Sequence, residues 1–403
     1  MKYALILTDG MADEPQEALG GKTPVQAART PNMDRLAQKA EIMELFTIPD
    51  SLPAGSDVGN LSIIGLNPEN YYSGRSPLEA LSMKVPMEPD DITYRINLVT
   101  LSDEPEYEEK HMIDYSGGEI STQEAAQLID AVRRELQNEQ FEYYAGVSYR
   151  HILLQKSGDM AEGFTPPHDI TGQPVKGHLP QNAQILNIMK RSYEILKDHP
   201  VNRARIAAGK NPANSLWAWG AGRPAVYPSF QERYGMRGAM ISAVDLLRGI
   251  ALGMKMDVIL VDGATGNKDT NFAGKGHAAI QALQKNGYDF VYVHIEATDE
   301  CGHAADLEGK VYSIEQIDEK IVGPLVEALE AGNEPYTVII TPDHPTPVRV
   351  MTHTRDGVPC LVYRSDAPVE HPDGVEFSEG WADRYGRHLR GCEMLPEVLE
   401  SKE

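Results

Sequence analysis

The sequence predicts an α/β protein, a mostly parallel sheet with helices on both faces, carrying a small inserted α+β domain. Three observations support this. Short apolar runs bounded by turn residues recur along the chain, amphipathic helical patterns separate them, and a central stretch departs from that alternation. The first run, Tyr3 to Thr8 (YALILT), is closed by Asp9-Gly10 and reads as a buried strand. Thr30-Pro31 marks a helix start, with Thr as N-cap and Pro at the first helical position, leading into NMDRLAQKA. Three further strand-like runs come late: Asp257 to Val261, Phe290 to His294 and Tyr336 to Thr341. Between the last two, Tyr312 to Glu330 sets Ile314, Ile317, Ile321, Leu325 and Leu329 on one helical face. Apolar strands alternating with such helices build a sheet covered on both sides.

The centre reads differently. ITYRINLVT is strand-like, Gly117-Gly118 is a turn, Thr122 to about Leu136 is helical, and a second strand ends in VSYRHILLQ. Ser157 to Gln181, rich in Pro, Gly and His, reads as a return linker, after which a helix near Gln181 resumes the main pattern. The expected organisation is therefore an insert over 89–180 within a larger domain formed by 1–88 and 181–403.

Composition narrows the function. The chain has 403 residues, with 37 Lys and Arg against 60 Asp and Glu, a net charge of −23. That balance argues against nucleic acid or an anionic membrane as the main partner, because both demand basic patches. A small anionic substrate is still compatible, since a few arginines or metal ions make a local positive site. Three widely spaced cysteines, Cys301, Cys360 and Cys392, give no disulfide framework and favour a reducing cytoplasm. The N-terminal apolar run is too short for a signal peptide, and no later run approaches a membrane span.

Three apolar runs end in metal-ligating residue types: Asp9 after the first, Asp299 and His303 after FVYVH, and Asp343 and His344 after YTVIIT. His353 follows closely. A lone Asp at a strand end is ordinarily a turn or cap residue. Three such ends, two with histidine, form a pattern, because ligand sites in open sheets lie beyond the carboxyl ends of the strands. Asp with neutral His suits divalent zinc, manganese or cobalt. Two such ions about 3.5–4 Å apart can clamp the attacking and leaving oxygens of a phosphoryl group. Ser56, in Ala54-Gly55-Ser56-Asp57 ahead of VGNLSIIG, opens a helix on a glycine turn, which places its hydroxyl beside an anion site. There it could act as a nucleophile.

The ordered set Asp9-Gly10, TPNMD (Thr30 to Asp34), AGSD (Ala54 to Asp57), D-x-x-G-H (Asp299 to His303), PDH (Pro342 to His344) and His353-Thr354 resembles the alkaline phosphatase superfamily. Within it the chain is most similar to the compact, archaeal-type cofactor-independent phosphoglycerate mutases, a placement that YYSGRSPLEA (Tyr71 to Ala80) and the insert strengthen. The resemblance implies an alkaline-phosphatase-like sheet and two divalent metal ions, manganese first, with magnesium, cobalt or zinc as alternatives. It assigns Asp9, Ser56, Asp343 and His344 to one ion and Asp299, His303 and His353 to the other. Ser56 would be the phosphorylated nucleophile in the interconversion of 3-phosphoglycerate and 2-phosphoglycerate, a step of glycolysis and gluconeogenesis. The insert would act as a substrate domain closing over the site.

Candidate cations for that small phosphorylated substrate are Arg75 in GRSPLEA, Arg150 and His151 near the end of the insert, Arg223 after a Gly-x-Gly turn, and Lys275 in TNFAGKGH. His168 in TPPHDI is a further candidate. One departure stands out. Trp219 occupies the position before the Gly-x-Gly turn where such mutases often carry a basic residue, and this tryptophan-rich segment is similar to a related branch proposed to act as homoserine kinase. A phosphotransferase of that kind, serving threonine biosynthesis, is the alternative expectation. No G-x-x-x-x-G-K-[ST] loop is present.

Overall fold

A computed structural model describes residues 1–160, 163–369, 371 and 374–400. Its strands, in chain order, are β1 (Lys2–Thr8), β2 (Glu41–Phe46), β3 (Ile92–Leu101), β4 (Met112–Asp114), β5 (Phe141–Tyr144), β6 (Arg150–Gln155), β7 (Ser215–Gly222), β8 (Gly238–Ile241), β9 (Asp257–Ile259), β10 (Phe290–Ile295), β11 (Tyr336–Thr341), β12 (Val358–Arg364) and β13 (Arg387–Arg390). The chain divides into two compact units, one of Met1–Tyr72 with Val226–Glu403, the other of Ser73–Ala225.

The first unit holds an eight-stranded sheet in the order β13-β2-β12-β11-β1-β10-β8-β9. Its pairs are parallel except those of β12, which runs antiparallel to both β11 and β2. The α/β expectation stands, with one reversed strand in the sheet. β1 lies at the centre, and β1, β10 and β11 are apolar on both faces because helices cover both. Ala4, Ile6, Val291, Val293, Val338 and Ile340 share one core with Leu36, Ile314, Ile321 and Leu325 from the covering helices.

The helix expected over 312–330 is present with a change of pitch. Leu307–Ile317 passes through a wider turn at Asp318–Val322 into Gly323–Glu330, and its five expected apolar positions are all buried. The wide turn has a use. Asp318 accepts the backbone N–H of Met33 at 2.8 Å and that of Asn32 at 3.2 Å, capping the helix Pro31–Ala37. Thr30, expected as the cap, makes no capping bond, although the helix does begin at Pro31.

The second unit is antiparallel, ordered β4-β3-β6-β5, with β7 on the other side of β3. It reaches beyond the expected 89–180 at both ends. β7 pairs along β3 from Thr93 to Val99 and so belongs to this sheet. The helix Ala183–Leu196, expected to rejoin the main core, instead packs Ile185, Ile188, Met189 and Leu196 onto this one. Both segments look like ordinary core elements, and only strand pairing shows which sheet they complete. The helix Arg75–Ser82 also lies in this unit. Among the described residues no helix is long and apolar enough to cross a membrane.

Candidate metal centre

The carboxyl ends of β1, β10 and β11 lie side by side, as the register pairs of Leu7 with His294 and with Thr341 require. Asp9 follows β1 directly. Asp299 and His303 stand one helical turn apart on Ala297–His303, which starts just after β10. Asp343 and His344 follow β11, and His353 returns on the next loop. Ser56 is the first residue of the helix Ser56–Ile63, with Gly55 before it.

All seven side chains converge. The Ser56 hydroxyl lies 3.1 Å from His344 Nε2 and 3.5 Å from Asp9 Oδ1. His344 Nε2 is 3.5 Å from Asp9 Oδ1 and 3.4 Å from Asp343 Oδ2. On the other side, Asp299 approaches His303 Nε2 at 3.3 Å and His353 Nε2 at 3.6 Å. Two sets could each hold a cation: Asp9, Asp343 and His344, and Asp299, His344 and His353. His344 thus faces both sets.

The donor chemistry fits a metal. Each of the three histidines has its Nδ1 committed: His303 to the carbonyl of Met351 at 3.0 Å, His353 to that of Ala54 at 3.2 Å, and His344 to the Thr346 hydroxyl at 3.2 Å. Nδ1–H donates in each case, so each ring, when neutral, aims its Nε2 lone pair into the cluster. The Nε2 atoms of His303 and His353 stand only 3.1 Å apart. Two lone pairs at that distance repel unless a proton or a metal cation lies between them.

Electrostatics agree. Burial raises Asp9 well above the usual carboxylate range, and Asp343 and Asp299 add to the rise. Burial and the Asp299 charge push Asp343 up to about 7. Burial also opposes ionisation of Asp299, but the bond from His303 and the charges of His344, His303 and His353 outweigh it and hold that carboxyl low. His303 is raised to about 9, chiefly by its bond to Asp299, while burial pushes His353 down to about 4 and also lowers His344. Left to themselves, three groups hold protons where cations would neutralise the acids.

Several supporting residues escape a sequence reading. Asn60 donates to Asp343 Oδ2 at 2.7 Å and to the carbonyl of Ser56 at 2.8 Å, and accepts from the Tyr292 hydroxyl at 2.7 Å. Thr346 donates to Asp299 while accepting from His344, which ties the two sets together. The Gly10 N–H donates to Asp343 at 3.2 Å; with φ +61° and Asp299 backbone 2.7 Å from any added Cβ, that position admits only glycine. His294 bonds Asp9 at 2.8 Å.

Five of the six candidate cations lie in the second unit and one, Lys275, in the first. Arg75 and Arg150 lie in the second unit with Arg95, a residue of the strand-like ITYRINLVT that was not among the candidates. Arg95 bonds Glu79 at 2.7 Å and Arg75 bonds the same carboxylate at 3.0 Å. Burial works against Glu79, yet Arg95, Arg75 and Arg150 together hold it below the usual range. Trp219 sits across from Arg95 in the β3–β7 register, its ring 4.8 Å from the guanidinium, and donates to Asn97 at 3.0 Å. His168, on Pro167–Ile170, meets the edge of the same ring at 5.4 Å between centroids.

His151 is buried, pushed down to about 3 by desolvation, and accepts the Gly146 N–H at 3.0 Å. Arg223 is engaged by the carbonyls of Asp90 and Gly158, at 2.8 and 2.5 Å. Lys275 lies in the first unit, buried, donating to the carbonyl of His294 at 3.0 Å. Within the second unit, Arg75, Arg150, His151 and His168 lie near enough to Arg95 or Glu79 for the charges to be felt, whereas Arg223 is taken up by carbonyls.

A family model described as the metalloenzyme superfamily matches residues 1–380. A 2,3-bisphosphoglycerate-independent phosphoglycerate mutase of Methanosarcina barkeri is 49% identical over 370 residues, 91% of each chain. One of Methanothrix thermoacetophila is 45% identical over 398 residues, 98% of each. Among solved structures, a protein from Pyrococcus horikoshii aligns with a TM-score of 0.82 at 30% identity, over all of this chain and 98% of its own. A cofactor-independent phosphoglycerate mutase from Thermoplasma acidophilum aligns with a TM-score of 0.62 at 26% identity, over 99% and 98%.

Proposed function

The chain belongs to the metalloenzyme superfamily and, within it, to the archaeal-type 2,3-bisphosphoglycerate-independent phosphoglycerate mutases, and from that membership we propose that it interconverts 3-phosphoglycerate and 2-phosphoglycerate through phosphorylated Ser56. The observation that carries the mechanism is the placement of the Ser56 hydroxyl against Asp9 and His344 Nε2, at the first position of a helix. Asp9, Ser56, Asp343 and His344 would hold one divalent ion and Asp299, His303 and His353 the other, manganese being our first choice. When bound, such ions lower the pKa of a hydroxyl and neutralise charge on a phosphoryl group.

The chain's own residues do the rest. Asn60 keeps Asp343 and the Ser56 carbonyl in place, and Thr346 keeps Asp299 and His344 in register. Ser56 takes the phosphoryl group from one hydroxyl of glycerate, and the retained glycerate takes it back on the neighbouring hydroxyl. Recognition of the anionic groups falls to Arg75, Arg95 and Arg150, gathered about Glu79. The homoserine-kinase-like alternative was raised by the absence of a cation at Trp219 and by the tryptophan-rich segment around it; Arg95, 4.8 Å from the Trp219 ring, is a cation at that place and favours the mutase reading. We place the enzyme in the cytoplasm, where its three thiols would remain reduced.

The test is chemical. Acid quench during turnover, followed by peptide mass spectrometry, should find phosphate on Ser56 and lose it in Ser56→Ala. Turnover with no phosphate on Ser56 at any quench time would reject the covalent route.

A further inference from the structure

His294 is the last histidine expected to touch the site, since it lies within an apolar strand and is fully buried. Its ring is nonetheless fixed at both nitrogens. Nε2 lies 2.8 Å from Asp9 Oδ2 and Nδ1 lies 3.0 Å from the Ser242 hydroxyl. That hydroxyl already accepts the Val244 N–H at 3.0 Å, so its own hydrogen is free to go to Nδ1. A ring that accepts that hydrogen at Nδ1 carries its own proton on Nε2 and donates it to Asp9. The main chain is held too, because Lys275 donates to the carbonyl of His294 and Asp9 N–H donates to that of Ile295 at 2.9 Å.

We propose that His294 is a positioning residue that occupies Asp9 Oδ2 and so makes Asp9 a one-oxygen ligand, with Ser242 setting the tautomer that allows it. Asp9 Oδ1 is the oxygen that remains, and it is the one that faces Ser56 and His344. Without the bond from His294 the carboxylate can turn about its Cβ–Cγ axis, and its charge, crowded by Asp343 and Asp299, loses a donor. This inference rests on the metal reading above but concerns a residue outside the ligand set. Partners of this kind shift metal affinity by about 10–100-fold when removed.

The experiment measures Mn²⁺ binding by calorimetry on chelator-stripped full-length protein, with circular dichroism checking the fold. In His294→Asn the shorter amide reaches Ser242 but not Asp9; in His294→Gln the longer one reaches Asp9. The expected result is two ions on the wild type, one of them weakened about 10–100-fold in His294→Asn and restored to within about threefold in His294→Gln. His294→Leu, which also lacks the donor, replaces His294→Asn should that variant not fold. Unchanged affinity in a folded variant lacking the donor, or a His294→Gln as weak as that variant, would overturn the proposal while leaving the metal reading intact. A wild type that binds no Mn²⁺ would overturn both.

Discussion

Asn60→Leu tests how the site is built into the fold. The side chain is buried, and leucine repeats its branched four-atom outline, so the change removes bonds rather than opening a cavity. Three hydrogen bonds go: to Asp343 at 2.7 Å, to the Ser56 carbonyl at 2.8 Å, and from Tyr292 at 2.7 Å. At pH 8 the bond to the carboxylate is worth about 1.5–3 kcal/mol and each neutral bond about 1 kcal/mol, and the stranded Tyr292 hydroxyl adds a desolvation cost of about 1–3 kcal/mol. Counting the lost Tyr292 bond and its stranded hydroxyl once, the expected loss is about 3.5–7 kcal/mol. Tyr292→Phe, which breaks only the outer bond, should cost about 1–2 kcal/mol. The double variant no longer strands a hydroxyl, so it should be more stable than the sum of the singles by about 1–2 kcal/mol. Urea unfolding of chelator-stripped protein, followed by far-ultraviolet circular dichroism, measures all four species. A loss under about 1 kcal/mol for Asn60→Leu, or strict additivity, would refute the reasoning.

Chelation should abolish activity and Mn²⁺ should restore it; full activity after removal verified by elemental analysis would contradict the metal reading. Mn²⁺ affinity should fall as pH is lowered from 8 to 6, because Asp343 is raised to about 7, His303 to about 9 and Asp9 above the carboxylate range, so binding must displace protons that acid supplies. Calorimetry in buffers of different ionisation enthalpy would show that proton release, and a pH-independent affinity would contradict it. Thr346→Val, which breaks the link between Asp299 and His344, should weaken Mn²⁺ binding by about tenfold, and unchanged binding would show the link to be dispensable. Arg150→Gln should lower kcat/KM by about 10–100-fold, the worth of one charge-assisted bond to the substrate, whereas Arg223→Gln, whose guanidinium holds two carbonyls, should leave it unchanged. The reverse pattern would exchange their roles.

Asp9, Asp299, Asp343 and His344 were legible as candidates because they come soon after apolar strands, where a polar residue marks the end of the sheet, and Ser56 because a glycine turn precedes its helix. His294 was hidden by the same logic: inside FVYVH it looks like strand, and only the pairing of Leu7 with His294 beside Asp9 exposes it. Asn60 sits in mid-helix, and the contact that identifies it joins residues 283 positions apart. β2 and β13 mix polar and apolar residues, as strands toward an edge do, and gave no clear run. Arg95 sits inside the strand-like ITYRINLVT, where nothing in the sequence singles it out, yet it is buried against Glu79 and Trp219. The wider second unit was invisible for a related reason, since an apolar strand does not state its partner.

The most direct measurement is formation of 2-phosphoglycerate from 3-phosphoglycerate with Mn²⁺ and no bisphosphoglycerate, with Ser56→Ala run beside the wild type and homoserine plus a phosphoryl donor as the comparison. Efficient mutase turnover that vanishes in Ser56→Ala is the result predicted here. Folded, manganese-loaded wild type that leaves 3-phosphoglycerate unchanged, or a Ser56→Ala variant that still converts it, would contradict the account.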